Sequence, residues 1–480
     1  MTKITSLFDG DHPGIQVSTV VCGMTDLPSQ SALIKKYDVP TPRYTSYPTV
    51  PYWNTGEFST EKWIQAVKRV FEETNRTKGI SLYLHLPFCE KLCTYCACNK
   101  RITKNHSVEI PYIRSLLKEW QQYIRIFGEK PVIRELHLGG GTPTFFSPEN
   151  LKWLISYLLE EGIVHDEKEF SFEGHPNNTT AEHLQMLFDL GFKRVSFGVQ
   201  DLDPKVQQTI NRIQPFENLE EVSNASKRIG YASISFDLIY GLPFQTLVTI
   251  ENTIRKVLSL KPDRVSFYSY AHVPWVSPGQ RGYGEKDLPT DVQKRELYEA
   301  GRTLLRGNGY EDIGMDHFAL PHDALYTAQA NGRLHRNFMG YTTTHTDLLL
   351  GLGASAISDA KYAYAQNLKK VEAYSQTLKG NTLAFLKGHI QTEEDLNVKK
   401  YILEIACSGK IKTESIKNMG DPSITLRLEE MCREGILKIT ADGFMVTDSG
   451  RAFIRNICSV FDQKIHLNSE TNHALFSKSI

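Results

Sequence analysis

From residue 81 to residue 274 the chain repeats one pattern, a short apolar run of strand character followed by a stretch with helical spacing. SLYLHLPF, VIRELHLGG, EFSFEGHP, RVSFGVQ, SISFDLIYGLP and RVSFYSYAHVP are the strand-like runs. IPYIRSLLKEWQQYIRIF, PENLKWLISYLLEEG, AEHLQMLFDLG, LEEVSNASKRIG and TIENTIRKVLSL lie between them. Strands that alternate with helices pair in parallel through right-handed crossovers, because a helix must carry the chain back across the sheet. Six such units fit an incomplete barrel or an open doubly wound sheet. In either case groups that bind ligands belong at the carboxyl ends of the strands.

The rest of the chain divides around this repeat. Residues 1–34 are polar and aperiodic and read as a weakly ordered extension. Residues 35–80 form an N-terminal segment that covers the barrel. Its YDVPTPRYTSYPTVPYW stretch is expected to lie extended over a surface, since proline blocks helix and biases its predecessor to extended backbone. The barrel takes residues 81–285. Residues 286–385 read as an extension associated with it, with a helix at DVQKRELYEAGRTLLRGNG and a loop at GMDHFALPHD. Residues 386–480 suggest a small, mainly helical domain whose GILKITADGFMVTDSG makes a β wing. Wings of this kind often bind DNA, but the segment is not distinctly basic. Lys plus Arg and Asp plus Glu each number 55, so no overall field favours nucleic acid or an anionic membrane. No apolar run reaches the length of a membrane span, and the start lacks a secretion signal. The expected location is the cytoplasm.

Four of the eight cysteines, Cys89, Cys93, Cys96 and Cys98, fall within ten residues, directly after the first strand of the repeat. A disulfide scaffold would spread its cysteines along a short chain. This clustering indicates one metal site, with Cys407, Cys432 and Cys458 packed as small hydrophobes. Thiolates are the usual ligands of iron–sulfur clusters. The C-x3-C-x2-C spacing lets one loop wrap one face of a cubane. Three protein ligands leave one iron of a [4Fe–4S] cluster open, the feature that separates catalytic from structural metal sites. A zinc ribbon would need a second cysteine pair, and a bacterial ferredoxin would place two residues between each of the first three cysteines. Cys98 is either a fourth ligand or a neighbour off the metal. Cys89, Cys93 and Cys96 are the favoured set.

C-x3-C-x2-C resembles the signature of the radical S-adenosylmethionine (SAM) superfamily. LYLHLPFCEKLCTYCACNKRIT is similar to the oxygen-independent coproporphyrinogen III oxidases in particular. So are RYTSYPT before it and GGGTPT, GVQ, FDLIYGLP, YAHVP, GMDHFA, HRNFMGYTT and GASAIS after it, in order, over about residues 35–465. The resemblance implies an incomplete (β/α)6 barrel with a small C-terminal domain, one [4Fe–4S] cluster and two SAM molecules. It implies a radical enzyme that turns two propionates of coproporphyrinogen III into vinyl groups, giving protoporphyrinogen IX. The reductant would be a flavodoxin- or ferredoxin-like carrier, and the chain a monomer. Two alternatives are a haem-binding chaperone of the same lineage and a radical SAM enzyme for another tetrapyrrole. The chaperones typically lack the cysteine at Cys98 and the RYTSYPT segment, and this chain has both.

Matched motif by motif, the resemblance places Tyr83, Tyr95, Gly140, Gly141 and Thr142 beside SAM. Glu173 would serve the cluster-bound SAM, and Gln200 and Asp237 the second one. Arg212 would pair with a SAM carboxylate, while Ala271 and Ile357 would make apolar or backbone contacts. His85 reads as a core histidine. Asp316 and His317, on a loop, and Arg43, as a partner for a substrate propionate, are further candidates. Ala97 stands where such enzymes usually have Gly, and Gly174-His175 where a branched residue and Asp are usual.

Overall fold

The computed structural model describes residues 28–275, 277–467 and 475–479. Residues 1–27, which make up most of the expected extension and include Cys22, lie outside the described residues.

The six strand-like runs form β1 (Ile80–Leu86), β2 (Val132–Gly140), β3 (Ile163–Gly174), β4 (Phe192–Gln200), β5 (Ser233–Tyr240) and β6 (Arg264–Ser269). They pair in parallel, each with the next. The helices between them are α1 (Glu109–Phe127), α2 (Pro148–Glu160), α3 (Ala181–Asp189), α4 (Phe216–Ile229) and α5 (Leu247–Ser259), with one further short helix, Pro204–Thr209, between β4 and α4. Their ends carry the expected chemistry. Ser147 caps α2 ahead of Pro148, and Gly128 and Gly230 close α1 and α4 in the left-handed conformation.

Side chains of the strands alternate between two environments. Phe170 and Phe172, Val195 and Phe197, Ile234, Phe236 and Leu238 belong to the main hydrophobic core, together with residues of the helices. Ser171 and Glu173, Arg194 and Ser196, Ser233, Ser235 and Asp237, Arg264, Ser266 and Tyr268 line one polar interior space. With Glu135 and His137 of β2 on the same lining, five of these strands face a common cavity and make a curled sheet. The strand order does not close, so the barrel is incomplete.

Both free edges are extended by strands from later in the chain: β7 (Glu311–Asp312), β8 (His317–Ala319), β9 (Leu349–Leu352), β10 (Ile357–Asp359), β11 (Ala363–Asn367) and β12 (Phe385–Ile390). The full order is β12-β11-β10-β9-β1-β2-β3-β4-β5-β6-β8-β7. β9 joins β1 in parallel, and β8 joins β6 antiparallel. GMDHFALPHD is therefore not all loop. His317 begins a strand because its backbone pairs with Ser266, and its ring is held between Met315 O (2.6 Å) and Tyr268 Oη (3.4 Å).

The 35–80 segment also departs from expectation. The tyrosine- and proline-rich stretch is extended, but Thr41, Tyr44, Tyr47 and Thr49 are buried. It is held in a seam between the barrel and the C-terminal helices. Arg43 donates to Ser269 O at the end of β6 (2.9 Å). On the other side the Arg455 guanidinium donates to the carbonyls of Thr41, Pro42, Ser477, Lys478 and Ser479. Residues 60–74, not anticipated as an element, form the helix Thr60–Thr74, which starts at the Ser59 cap and buries Trp63, Val67, Val70 and Phe71. Near the chain's end, Glu393–Ser408 and Pro422–Arg433 are helices, and the wing is a three-stranded sheet of Lys410–Lys412, Gly443–Val446 and Leu437–Thr440.

Candidate cluster and cofactor site

The carboxyl ends of β2 to β5 and the loop after β1 surround a cleft of about 410 Å³. Cys89, Cys93, Cys96 and Cys98 all line it. Local backbone pairing shapes the cysteine loop. Phe88 and Cys89 pair in parallel with Arg101 and Ile102, which ties the loop's two ends together. Thr94 N donates to Ile210 O (3.0 Å) and Asn211 Nδ2 to Leu92 O (2.8 Å), which pin its middle. Lys100 Nζ donates to Cys96 O (2.8 Å) and Cys98 O (3.3 Å).

Among the described residues no three His, Cys, Asp or Glu side chains converge closely enough to hold a single metal ion. A cubane asks for something else, since its irons sit at separate corners and its thiol ligands must be spread around it. Three thiols on one wall of a cleft, with Lys100 and Arg212 beside them, suit an anionic thiolate-bound cluster. The thiols differ in acidity. A hydrogen bond with Cys98 draws Cys96 down to about 6 against the cost of burial, with help from Lys100 and Arg212, whereas burial pushes Cys89 up to about 11. Cys89 Sγ also meets Thr142 Oγ1 at 3.4 Å.

The glycines at the end of β2 have a steric reason to be glycine. A Cβ on Gly141 would lie 2.5 Å from Pro87 O, and one on Gly140, whose φ is +122°, 2.8 Å from Leu86 N. The strand end thus presses directly against the base of the cysteine loop. Gly198 does the same for a side chain: a Cβ there would meet Gln200 Nε2 at 2.7 Å and Arg212 Nη2 at 2.9 Å. Through that gap Arg212 reaches Gly198 O (2.6 Å) and Cys93 Sγ (3.6 Å), while its buried Nε has no partner.

Of the residues expected around SAM, Tyr95, Gly140, Gly141, Thr142, Glu173, Gln200, Arg212 and Asp237 line the same cleft. Asp237 accepts from Ser196 Oγ (3.0 Å), and burial, with Glu173 nearby, raises its carboxyl to about 6. Glu173 Oε1 is 3.5 Å from His137 Nε2. Tyr83 stands behind this wall, its hydroxyl 3.0 Å from His85 Nδ1. His85 Nε2 in turn meets Asn99 O (2.8 Å), so this histidine is a satisfied, buried one. Ala271 and Ile357 are not among the lining residues. The Ala271 carbonyl is joined to the Tyr95 carbonyl through Gln280 Nε2 (3.1 and 3.5 Å). Ile357 lies in β10, its carbonyl against Gly351. Lys100, His175, Asn177, Asn178 and Asn211 line the cleft without having been singled out as ligand contacts. For Lys100 the available signal was a cation inside the cysteine loop, and for Asn211 its place next to Arg212.

The profile of the Radical SAM superfamily matches residues 83–257. Oxygen-independent coproporphyrinogen III oxidase of Pseudomonas aeruginosa is 38% identical over 460 residues, covering 93% of this chain and 98% of the relative. The enzyme of the same name from Escherichia coli is 37% identical over 456 residues, 94% and 98% of the two chains. The solved structure of coproporphyrinogen III oxidase (HemN) from Escherichia coli, described as a radical SAM enzyme, superposes with a TM-score of 0.83 at 35% identity, over 92% of this chain and 100% of that one. With the cysteine loop, the glycine-lined strand ends and near-complete coverage all in agreement, the chain belongs to the family of oxygen-independent coproporphyrinogen III oxidases, within the radical SAM superfamily, and its cofactors are a [4Fe–4S] cluster and SAM.

Proposed function

We propose that this protein carries out the oxygen-independent oxidative decarboxylation of two propionate side chains of coproporphyrinogen III, giving the two vinyl groups of protoporphyrinogen IX in haem biosynthesis. The single observation that carries this reading is the likeness over nearly the whole length of oxidases bearing that name. When bound and reduced, the cluster and SAM held by the cleft's residues would supply one-electron radical chemistry for oxidising a propionate side chain.

The chain's own residues bind, orient and shield. Cys89, Cys93 and Cys96 hold the cluster as thiolates, and Cys98 stays off the metal. Supporting a cluster here is the wall that these thiols share. Gly140, Gly141, Thr142, Tyr95 and Tyr83 shape the wall against the cluster-bound SAM, and Glu173 accepts from its polar groups. A second SAM rests against Gln200, Arg212 and Asp237, with Ala271 and Ile357 contributing backbone or apolar contact. What supports a carboxylate partner for Arg212 is its buried, unpartnered Nε. Arg43 meets a substrate propionate, and supporting this is its tether at the end of β6. The reductant is a flavodoxin- or ferredoxin-like carrier. The protein acts as a cytoplasmic monomer, without nucleic acid or membrane. Among the described residues no helix is long and apolar enough to cross a bilayer.

The test is anaerobic. The cluster is reconstituted, SAM, coproporphyrinogen III and dithionite are added, and 5′-deoxyadenosine and the tricarboxylic and dicarboxylic products are followed. Formation of all three is the expected result. Deoxyadenosine without decarboxylation rules out this substrate while keeping the radical chemistry. Tight haem binding with no SAM cleavage favours a carrier.

A further inference from the structure

The outer side of the cysteine loop is a basic face, although the chain as a whole has no net charge. Residues 97–104 leave the cysteine cluster and run beside residues 369–372. Asn99 Nδ2 donates to Lys369 O (2.9 Å), and Arg101 pairs with Glu372 (3.1 Å). Arg101, Lys104, Lys369 and Lys370 are exposed. Beside these four cations stands Glu372, already engaged by Arg101. Among the described residues no carboxylate lies within ion-pair distance of Lys104, Lys369 or Lys370. Ile102, 40% exposed, supplies an apolar centre. Ala97 comes to the surface directly after Cys96.

We propose that this face is the docking site of a one-electron carrier protein with an acidic surface. The inference rests on the function proposed above, which needs an external reductant. The cleft side of the loop is given over to SAM and substrate, so the electron has to enter from the loop's other side. A cationic rim around a small apolar centre is the pattern of a brief, electrostatically steered encounter, in which charge sets the rate of approach more than the lifetime of the complex. On docking, the carrier is oxidised by one electron, and that electron reduces the centre held by Cys89, Cys93 and Cys96.

The test uses the cluster-loaded, full-length enzyme with two reductants, a strongly acidic reduced flavodoxin and dithionite, following deoxyadenosine. The triple variant Lys104→Glu, Lys369→Glu, Lys370→Glu touches no residue of the cleft. Its KM for flavodoxin is expected to rise about tenfold or more at low salt, while the dithionite-driven rate stays at the wild-type value. A control pair in the wing, Lys410→Glu and Lys438→Glu, should leave both rates alone. Independently, binding of oxidised flavodoxin to the wild-type enzyme should weaken steadily with added salt. A wild-type KM in the triple variant, or salt-independent binding, overturns the docking face. No deoxyadenosine from wild-type enzyme with dithionite overturns the function itself, so the two failures are distinguishable.

Discussion

Two arginines show how differently this chain treats the same side chain. In the seam, Arg455 spends its five N–H groups on five backbone carbonyls from two segments of chain. In the cleft, Arg212 meets one carbonyl and one thiol and keeps a buried N–H without a partner. Burying a cation is costly unless its donors are satisfied. A guanidinium saturated by backbone is a structural bolt, and one left short of acceptors keeps a donor unused. Two carboxyls that burial raises to about 6 are both hydrogen-bonded but lie in different surroundings. Asp462 in the seam is met by Tyr44 and the Ile465 N–H, and Asp237 opens onto the cleft.

The sharpest way to break this comparison is at the cleft's metal wall. Cys89→Ala is expected to lose the cluster, seen as loss of bound iron and sulfide, together with all deoxyadenosine formation. Retained turnover would remove Cys89 from the ligand set. Next in size is Arg455→Met, which strips donors from several carbonyls at once. It should lower unfolding free energy by about 3 kcal/mol in a denaturant titration. A loss under 1 kcal/mol would show that the seam does not depend on this bolt.

Asp462 gives a comparable effect with a pH signature. Its folded pKa lies above the ordinary value, so its protonated form is favoured on folding. That contribution is full below about pH 4 and is lost as pH rises through about 6, worth at most about 3 kcal/mol. The stability gap between wild type and Asp462→Asn should therefore drift across pH 4–7. A constant gap would mean that the carboxyl titrates normally. Arg212→Met should leave stability within about 1 kcal/mol of wild type yet raise the KM for SAM about 10- to 100-fold, the worth of one charge-assisted hydrogen bond. The reverse pattern would make Arg212 a second bolt. The smallest change is expected from Cys98→Ala, which should keep its iron and shift stability by less than about 0.5 kcal/mol. Loss of iron there would make Cys98 a ligand.

Much of the barrel was legible because its signals are local. VIRELHLGG opens on two β-branched residues and ends on glycines, and PENLKWLISYLLEEG carries a proline at its first turn, so each announces its own element. Thr60–Thr74 was equally legible in Trp63, Val67, Val70 and Phe71, but the prolines upstream drew attention to extended chain. β9 was not legible in the same way. LLLGL is an apolar run broken by glycine, and nothing local says that it will pair with β1, more than 260 residues earlier. The thiols were legible by spacing, whereas Lys100 and Asn211 entered the cleft through hydrogen bonds to the loop's carbonyls.

Periodicity, capping residues and the spacing of three cysteines were sufficient to set the alternation of strands and helices and to place the thiols after the first strand, since these depend on neighbours a few residues apart. Which strands complete the sheet at its two edges, why Tyr44 and Tyr47 are buried, and which arginine is saturated and which is left open were decided only in three dimensions. Those outcomes depend on hydrogen-bond partners and apolar surfaces that lie hundreds of residues apart and meet only when the chain has folded.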